Sequence, residues 1–270
     1  MSQTLELLVA PGKLETARRL SHAAVQWASR AARANLPALP DDSHSNLGWS
    51  HGHTALLSHR LDGDHQLGFS FTEASLLWLQ TGEVTRSQPV ADLDDAGLGT
   101  ICDSWLNSAG LRSATQAVMP YELEAVTYRP LRSGEQRRAL ETLGAWFATT
   151  HNTLESLIAE FGDGAPGALT PRCWPHHFDL ATLFALEKGD PEHARSVGVG
   201  LSPGDAAYEE PYLYCSPWPV AEELPPAPDE FHWHTDGFTS LVCPMSRLGS
   251  AEQLAPHARE AFVTVYTSLV

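Results

Sequence analysis

Histidines in three short clusters carry the clearest chemistry of this chain: His51-Gly52-His53, His176-His177-Phe178-Asp179 and His232-Trp233-His234-Thr235-Asp236. Side chains two residues apart in an extended strand point to one face, so His51/His53, His177/Asp179 and His232/His234/Asp236 each offer converging polar heads. Neutral imidazole and carboxylate are common ligands of zinc and non-haem iron, and a catalytic site draws three protein ligands from separated segments. The spacing therefore makes His177, Asp179, His232 and His234 candidate ligands of a divalent metal, zinc or iron. Such an ion would activate water or polarise a carbonyl of a small substrate, as hydrolases and oxygenases require.

The same residues fit a second reading, in which the protein binds a small ligand or acts as a scaffold and the histidines are hydrogen-bonded supports. Asp179 then accepts from nearby backbone while His177 fixes a bend after Pro175, since buried polar groups must be paired whether or not a metal is present. His232 and His234 become the outer face of an edge strand whose Phe231 and Trp233 pack inward. If Phe178 and Leu180 face the core, His176 shares their side and becomes a candidate acid or base. His151 is another, because it follows Phe147 by four residues and precedes Leu154 by three on an apolar helix face. Aromatic residues near these clusters, Trp174, Tyr212, Tyr214 and Trp218, are candidates for lining a pocket. His51 and His53 sit beside a polar stretch, Asp41 to Asn46, and read as a surface loop.

The elements that must position these residues follow from periodicity. Leu14, Ala17, Ala24, Trp27, Ala28 and Ala31 recur at helical spacing, with Pro37 and Pro40 ending that helix. Thr54–Ser58, Leu67–Phe71 and Ser75–Leu79 read as short strands of an antiparallel meander, with Asp62-Gly63-Asp64 as a turn and Thr81-Gly82-Glu83 closing the third. Asp92 is a candidate cap for a helix over Ile101–Asn107. Ser133 and Gln136 have the spacing of a capping box for a longer helix, through Leu140, Leu143, Phe147, Leu154 and Phe161, that stops at Gly162. Beyond it, strands are expected over Cys173–Phe184, Val197–Leu201, Tyr212–Tyr214, Phe231–His234 and Ser240–Cys243. Ser202-Pro203-Gly204-Asp205 suits a tight turn, and an amphipathic helix runs from about Pro256 onward. The expected class is α+β, with largely antiparallel sheet and several packed amphipathic helices, as a single domain over 1–270 or as two halves, about 1–165 and 166–270.

Composition bounds the partners. The 270 residues carry a formal charge of −16, and Arg18-Arg19 and Arg137-Arg138 lie among acidic or small neighbours, so a phosphate backbone would meet net repulsion. No nucleic-acid partner is expected. No apolar run reaches the roughly 18 residues that span a bilayer, and Met1–Val9 lacks a basic signal-peptide start, so a cytoplasmic location without membrane partner is expected. The four cysteines stand far apart without a Cys-x-x-Cys pair, which argues against a zinc ribbon or disulfide scaffold. The phosphate-binding Gly-x-x-x-x-Gly-Lys and the metalloprotease His-Glu-x-x-His patterns are absent. A small-molecule partner fits this composition, and the oligomeric state is left open.

The run Trp174-Pro175-His176-His177-Phe178-Asp179-Leu180-Ala181, followed by Ser202-Pro203-Gly204-Asp205, Glu210-Pro211-Tyr212-Leu213-Tyr214 and Pro217-Trp218-Pro219, resembles a bacterial family classed as a domain of unknown function. The likeness is strongest over roughly Thr170 to Leu248. It implies an α+β domain and no particular activity.

Overall fold

The computed structural model describes residues 11–91, 93–122, 134–163, 167–189, 194–249 and 251–270. The chain divides into two compact units. One, here the N-terminal unit, comprises Lys13–Gly144 and Cys173–Phe178; the C-terminal unit contains Ala145–Arg172 and Asp179–Val270. The boundary between the units falls inside a helix, at 144/145, and the segment Cys173–Phe178, which carries His176 and His177, belongs with the N-terminal unit.

The N-terminal unit begins with helix α1 (Pro11–Asn35), whose stripe Leu14, Ala17, Ala24, Trp27, Ala28 and Ala31 is buried as its spacing requires. A five-stranded antiparallel meander follows: β1 (Gly48–Ser50), β2 (Ala55–Leu57), β3 (His65–Ser70), β4 (Ser75–Gln80) and β5 (Glu83–Pro89), paired in chain order. The expected strands correspond to β2, β3 and β4. Thr81-Gly82 closes β4 as expected, with φ 52° and 91° at the two residues, and so starts a further strand. That strand, β5, is exposed along almost its whole length, so it carries neither the alternation nor the apolar run by which strands are read.

Helix α2 (Asp95–Ser108) is capped by Asp94, whose side chain accepts from the Gly97 N–H at 2.7 Å. Helix α3 (Gly134–Phe161) passes from one unit into the other. Asp92 and Ser133, the expected caps of these two helices, lie outside the described residues. Gly162 ends α3 because a Cβ there would stand 2.4 Å from the Ile158 carbonyl oxygen.

The C-terminal unit is built on an antiparallel sheet. Its strands are β6 (Gly167–Ala168), β8 (Asp179–Ala185), β9 (Ser196–Ser202), β10 (Tyr212–Trp218), β11 (His232–His234) and β12 (Ser240–Pro244), while β7 (Arg172–Trp174) straddles the division. The hydrogen-bonded order is β11-β12-β10-β9-β8-β6. Helices α4 (Met245–Leu248) and α5 (Leu254–Thr267) complete the chain. Leu180, Val197, Val199, Leu201, Leu213, Cys215, Leu241 and Cys243 alternate onto one face and are buried, and α5, through Ala258, Ala261, Phe262 and Val265, packs against β9 and β10. That burial leaves the opposite face to carry the polar residues. The fold is α+β, and no helix among the described residues is long and apolar enough to cross a membrane.

Candidate functional site

Register places the second face of the C-terminal sheet residue by residue. Tyr214 of β10 pairs with Val242 of β12 and with Gly200 of β9; Val242 pairs with His232 of β11, and Gly200 with Ala181 of β8. One pleat on, His234 pairs with Ser240, and the Ser240 and Ser216 hydroxyls hydrogen-bond to each other. Tyr212, Tyr214, Trp218, His232 and His234 thus share a face, as strand alternation dictates.

Glycine lets the tyrosines lie across this face. A Cβ at Gly200 would come within 2.4 Å of the Tyr214 hydroxyl oxygen and 2.8 Å of the Ala181 Cβ. With only hydrogen there, the Tyr214 ring crosses β9 and its hydroxyl donates to Asp179 Oδ2. Asp179 is 6% exposed, at the first position of β8.

A tight turn supplies the centre of the cluster. Gly204, at φ 103°, leads into Asp205, whose side chain accepts from the backbone of Ala207 at 2.8 Å and Tyr208 at 3.0 Å. The other oxygen of Asp205 accepts the Tyr212 hydroxyl. Tyr208, its ring centroid 4.7 Å from that of Tyr212, then brings its hydroxyl to 2.8 Å from His232 Nε2 and 3.0 Å from His234 Nδ1.

The direction of these bonds follows from one carbonyl. His234 Nε2 lies 2.7 Å from the Asp236 carbonyl oxygen, which only accepts, so Nε2 carries a proton and in the neutral ring Nδ1 is the acceptor. Tyr208 donates to that acceptor and receives from His232 Nε2–H, an order of His232 to Tyr208 to His234 to Asp236. His232 Nδ1 is left as a lone pair, buried and without a hydrogen-bond partner among the described residues. Burial, then the Arg247 charge and His234, lower the His232 pKa below its ordinary 6.5. Burial and Asp205 raise the Tyr208 and Tyr212 pKa values, so both phenols keep their protons. Phe238, 41% exposed, stacks on His234 at 4.2 Å, and Trp218 is 48% exposed.

The second histidine cluster is arranged otherwise. Residues 175–178 form a turn between β7 and β8, with the His177 and Phe178 amides both donating to the Trp174 carbonyl and Phe178 at φ 60°. His177 and Asp179 are therefore not alternate residues of one strand, which corrects the expected geometry: Phe178 takes a left-handed conformation so that its ring can be buried. Both His176 and His177 are exposed, their ring centroids 4.0 Å apart.

Within the N-terminal unit this turn is held from α1. The Pro175 carbonyl accepts from Gln26 Nε2 at 2.6 Å and from His22 Nε2 at 2.7 Å, while the His22 ring stacks on Phe178 at 5.1 Å. Tyr121 donates to Gln26 Oε1 at 2.9 Å and packs against His176. Removal from water, then the neighbouring His177, brings His176 down to about 4, and burial also lowers His22.

The remaining candidates separate. Trp174 is half-buried in the N-terminal unit, its ring edge-on to His176. His151 is half-buried on α3 rather than inside, because the buried stripe runs through Trp146, Thr150, Thr153 and Leu157 and leaves it at the margin. His51 and His53 occupy the turn after β1, where His51 Nδ1 accepts from Trp49 Nε1 and His53 Nε2 meets the Gly82 carbonyl. Among the described residues, no group of three or more His, Cys, Asp or Glu side chains is disposed to hold a metal ion.

Tyr208, Asp205 and Gly200 were not legible as site residues. Tyr208 lies just beyond the tight-turn signal at Ser202–Asp205, in a stretch without strand or helix period. Two glycine patterns likewise lack catalytic context. Gly48-Trp49-Ser50-His51-Gly52 matches Gly-x-Ser-x-Gly, yet Ser50 ends an antiparallel strand that turns into β2, with no helix behind it. Gly162-Asp163-Gly164-Ala165-Pro166-Gly167 matches Gly-x-Gly-x-x-Gly but follows α3 and precedes β6, the reverse of the strand-to-helix order of a dinucleotide fingerprint. Comparison with protein-family models, with curated proteins and with solved structures gives no match to this chain.

Proposed function

We propose that the chain is a small-molecule-binding protein whose C-terminal unit holds a polar ligand on the face formed by Tyr208, His232, His234 and the Tyr214–Asp179 pair. One observation carries this reading: with neutral rings, the hydrogen-bond order through Tyr208 leaves His232 Nδ1 as an unanswered acceptor. A buried polar atom without a partner costs about 1–3 kcal/mol, which a ligand O–H or N–H recovers on binding. The carboxylates of Asp179 and Asp205 add acceptors, and the net charge of −16 disfavours anions. The ligand is thus a hydrogen-bond donor, uncharged or cationic, such as a polyol or an amine. Trp218 and Phe238 offer it apolar flanks.

A metal-dependent hydrolase or oxygenase built on His177, Asp179, His232 and His234 receives less support, because Asp179, His232 and His234 already have hydrogen-bond partners. The buried free thiols Cys102, Cys173, Cys215 and Cys243 favour a reducing, cytoplasmic setting. Metal analysis of protein purified without an affinity tag, alongside thermal-shift titration with polyols and amines, tests the proposal. The expected result is substoichiometric metal and a ligand-induced rise in melting temperature that Tyr208→Phe abolishes. Stoichiometric zinc or iron that His232→Ala removes would contradict it.

A further inference from the structure

A second concavity of the C-terminal unit, unrelated to the tyrosine–histidine face, lies where the end of α3 meets α5 and the β6/β8 end of the sheet. It has a volume of about 260 Å³. Its wall is aromatic. Phe262 sits at the centre, with ring centroids 4.7 Å from Phe161, 4.5 Å from Phe184 and 5.7 Å from Tyr266, the last nearly parallel at 19°. Gly167 and Ala185 line it without filling it, and Val263 faces it from α5.

Charge at the rim is already balanced. Arg195 lines the cleft, but its Nε donates to Glu187 Oε2 at 3.1 Å and its Nη1 to the Leu269 carbonyl at 2.7 Å. Arg259, 5.6 Å above the Phe161 ring, is paired with Glu160 at 2.8 Å. An anion entering here would compete with Glu187 for Arg195 and with Glu160 for Arg259, in a chain of net charge −16. Size narrows the ligand further: an apolar cavity of about 150 Å³ takes benzene, whereas drug-sized ligands occupy about 300–1,000 Å³.

We infer that this cleft is a binding site for an uncharged aromatic molecule of one or two fused rings, held by stacking and edge contacts with Phe161, Phe184, Phe262 and Tyr266. Offset and edge-on ring pairs at such separations are favourable beyond the area they bury. The polar face of the unit plays no part in this binding.

Calorimetric titration of the full chain with indole, and separately with indole-3-carboxylate, tests the inference. Saturable one-to-one indole binding is expected, at least tenfold tighter than the carboxylate. Val263→Trp, which fills the cleft, should weaken indole at least tenfold; Val263→Leu, a smaller filling step that preserves the fold more readily, should weaken it about threefold. Tyr208→Phe, on the opposite polar face, should leave indole affinity within about twofold. Absence of saturable indole binding, carboxylate binding equal to or tighter than indole, or indole affinity unchanged in folded Val263 variants would each overturn the proposal.

Discussion

The two histidine-bearing regions, one in each unit, hold their imidazoles in opposite ways. At 175–178 the chain folds into a turn that buries Phe178 and leaves His176 and His177 at the surface, their rings tilted against each other. At 232–234 a strand carries both imidazoles onto one face, where a single phenol occupies the space between them. The first region uses the backbone carbonyl of Pro175 as its anchor; the second uses side chains drawn from three strands and a turn. Histidines at close spacing thus share one hydrogen-bond partner only where the backbone supplies a common face. The turn supplies neither, so its imidazoles serve local packing.

This contrast makes the C-terminal face the more fragile of the two. The largest effect is expected from Gly200→Val, because the new side chain must displace the Tyr214 ring or Ala181; overpacking of this kind costs about 1–3 kcal/mol, read from the denaturant midpoint at unchanged m-value. A smaller loss of about 1–2 kcal/mol is expected for Asp179→Ala, which leaves the Tyr214 hydroxyl without its carboxylate, at the lower end of what an unanswered polar group costs. Tyr208→Phe should cost about 0.5–1.5 kcal/mol, the ordinary net value of a hydrogen bond. At the exposed turn, His177→Ala should stay within about 0.5 kcal/mol, as surface substitutions do. A large loss for His177→Ala alongside a small one for Asp179→Ala would reverse the comparison.

Acid should sharpen it from the other side. His22 and His176 have lowered folded pKa values, so between the unfolded value near 6.5 and, for His176, about 4, the unfolded chain binds protons that the folded chain refuses. Their contribution is fully present above pH 6.5 and is lost as pH falls through that window. Thermal melts across the window should show His176→Ala with a shallower decline than the parent; identical slopes would remove the turn from the acid response.

How much of this was legible in the sequence depended on whether one residue type met one period. The stripe of α1, strands β2 to β4 and the alternation of Tyr212/Tyr214 and His232/His234 were readable because apolar and polar residues there repeat at the period of their element. Strand β5 was not, being polar on both faces. At 175–178 the Phe178-Asp179-Leu180 alternation suggested continuous strand, whereas the left-handed φ at Phe178 is a tertiary choice that the sequence does not announce. Partnership was the least visible quantity. That Tyr208 would stand between His232 and His234 depends on the local turn at Asp205 and on the sheet order β11-β12-β10, which joins residues remote in the chain.

The central claim, that His232 and His234 are neutral members of a directed hydrogen-bond chain rather than ligands of an ion, is tested most directly by nitrogen-15 NMR of the histidine rings. Near pH 7.5 the account predicts both rings protonated on Nε2 with an unprotonated Nδ1, and spectra unchanged by equimolar zinc. A His234 proton on Nδ1, or zinc-induced shifts of both rings at one equivalent, would contradict it.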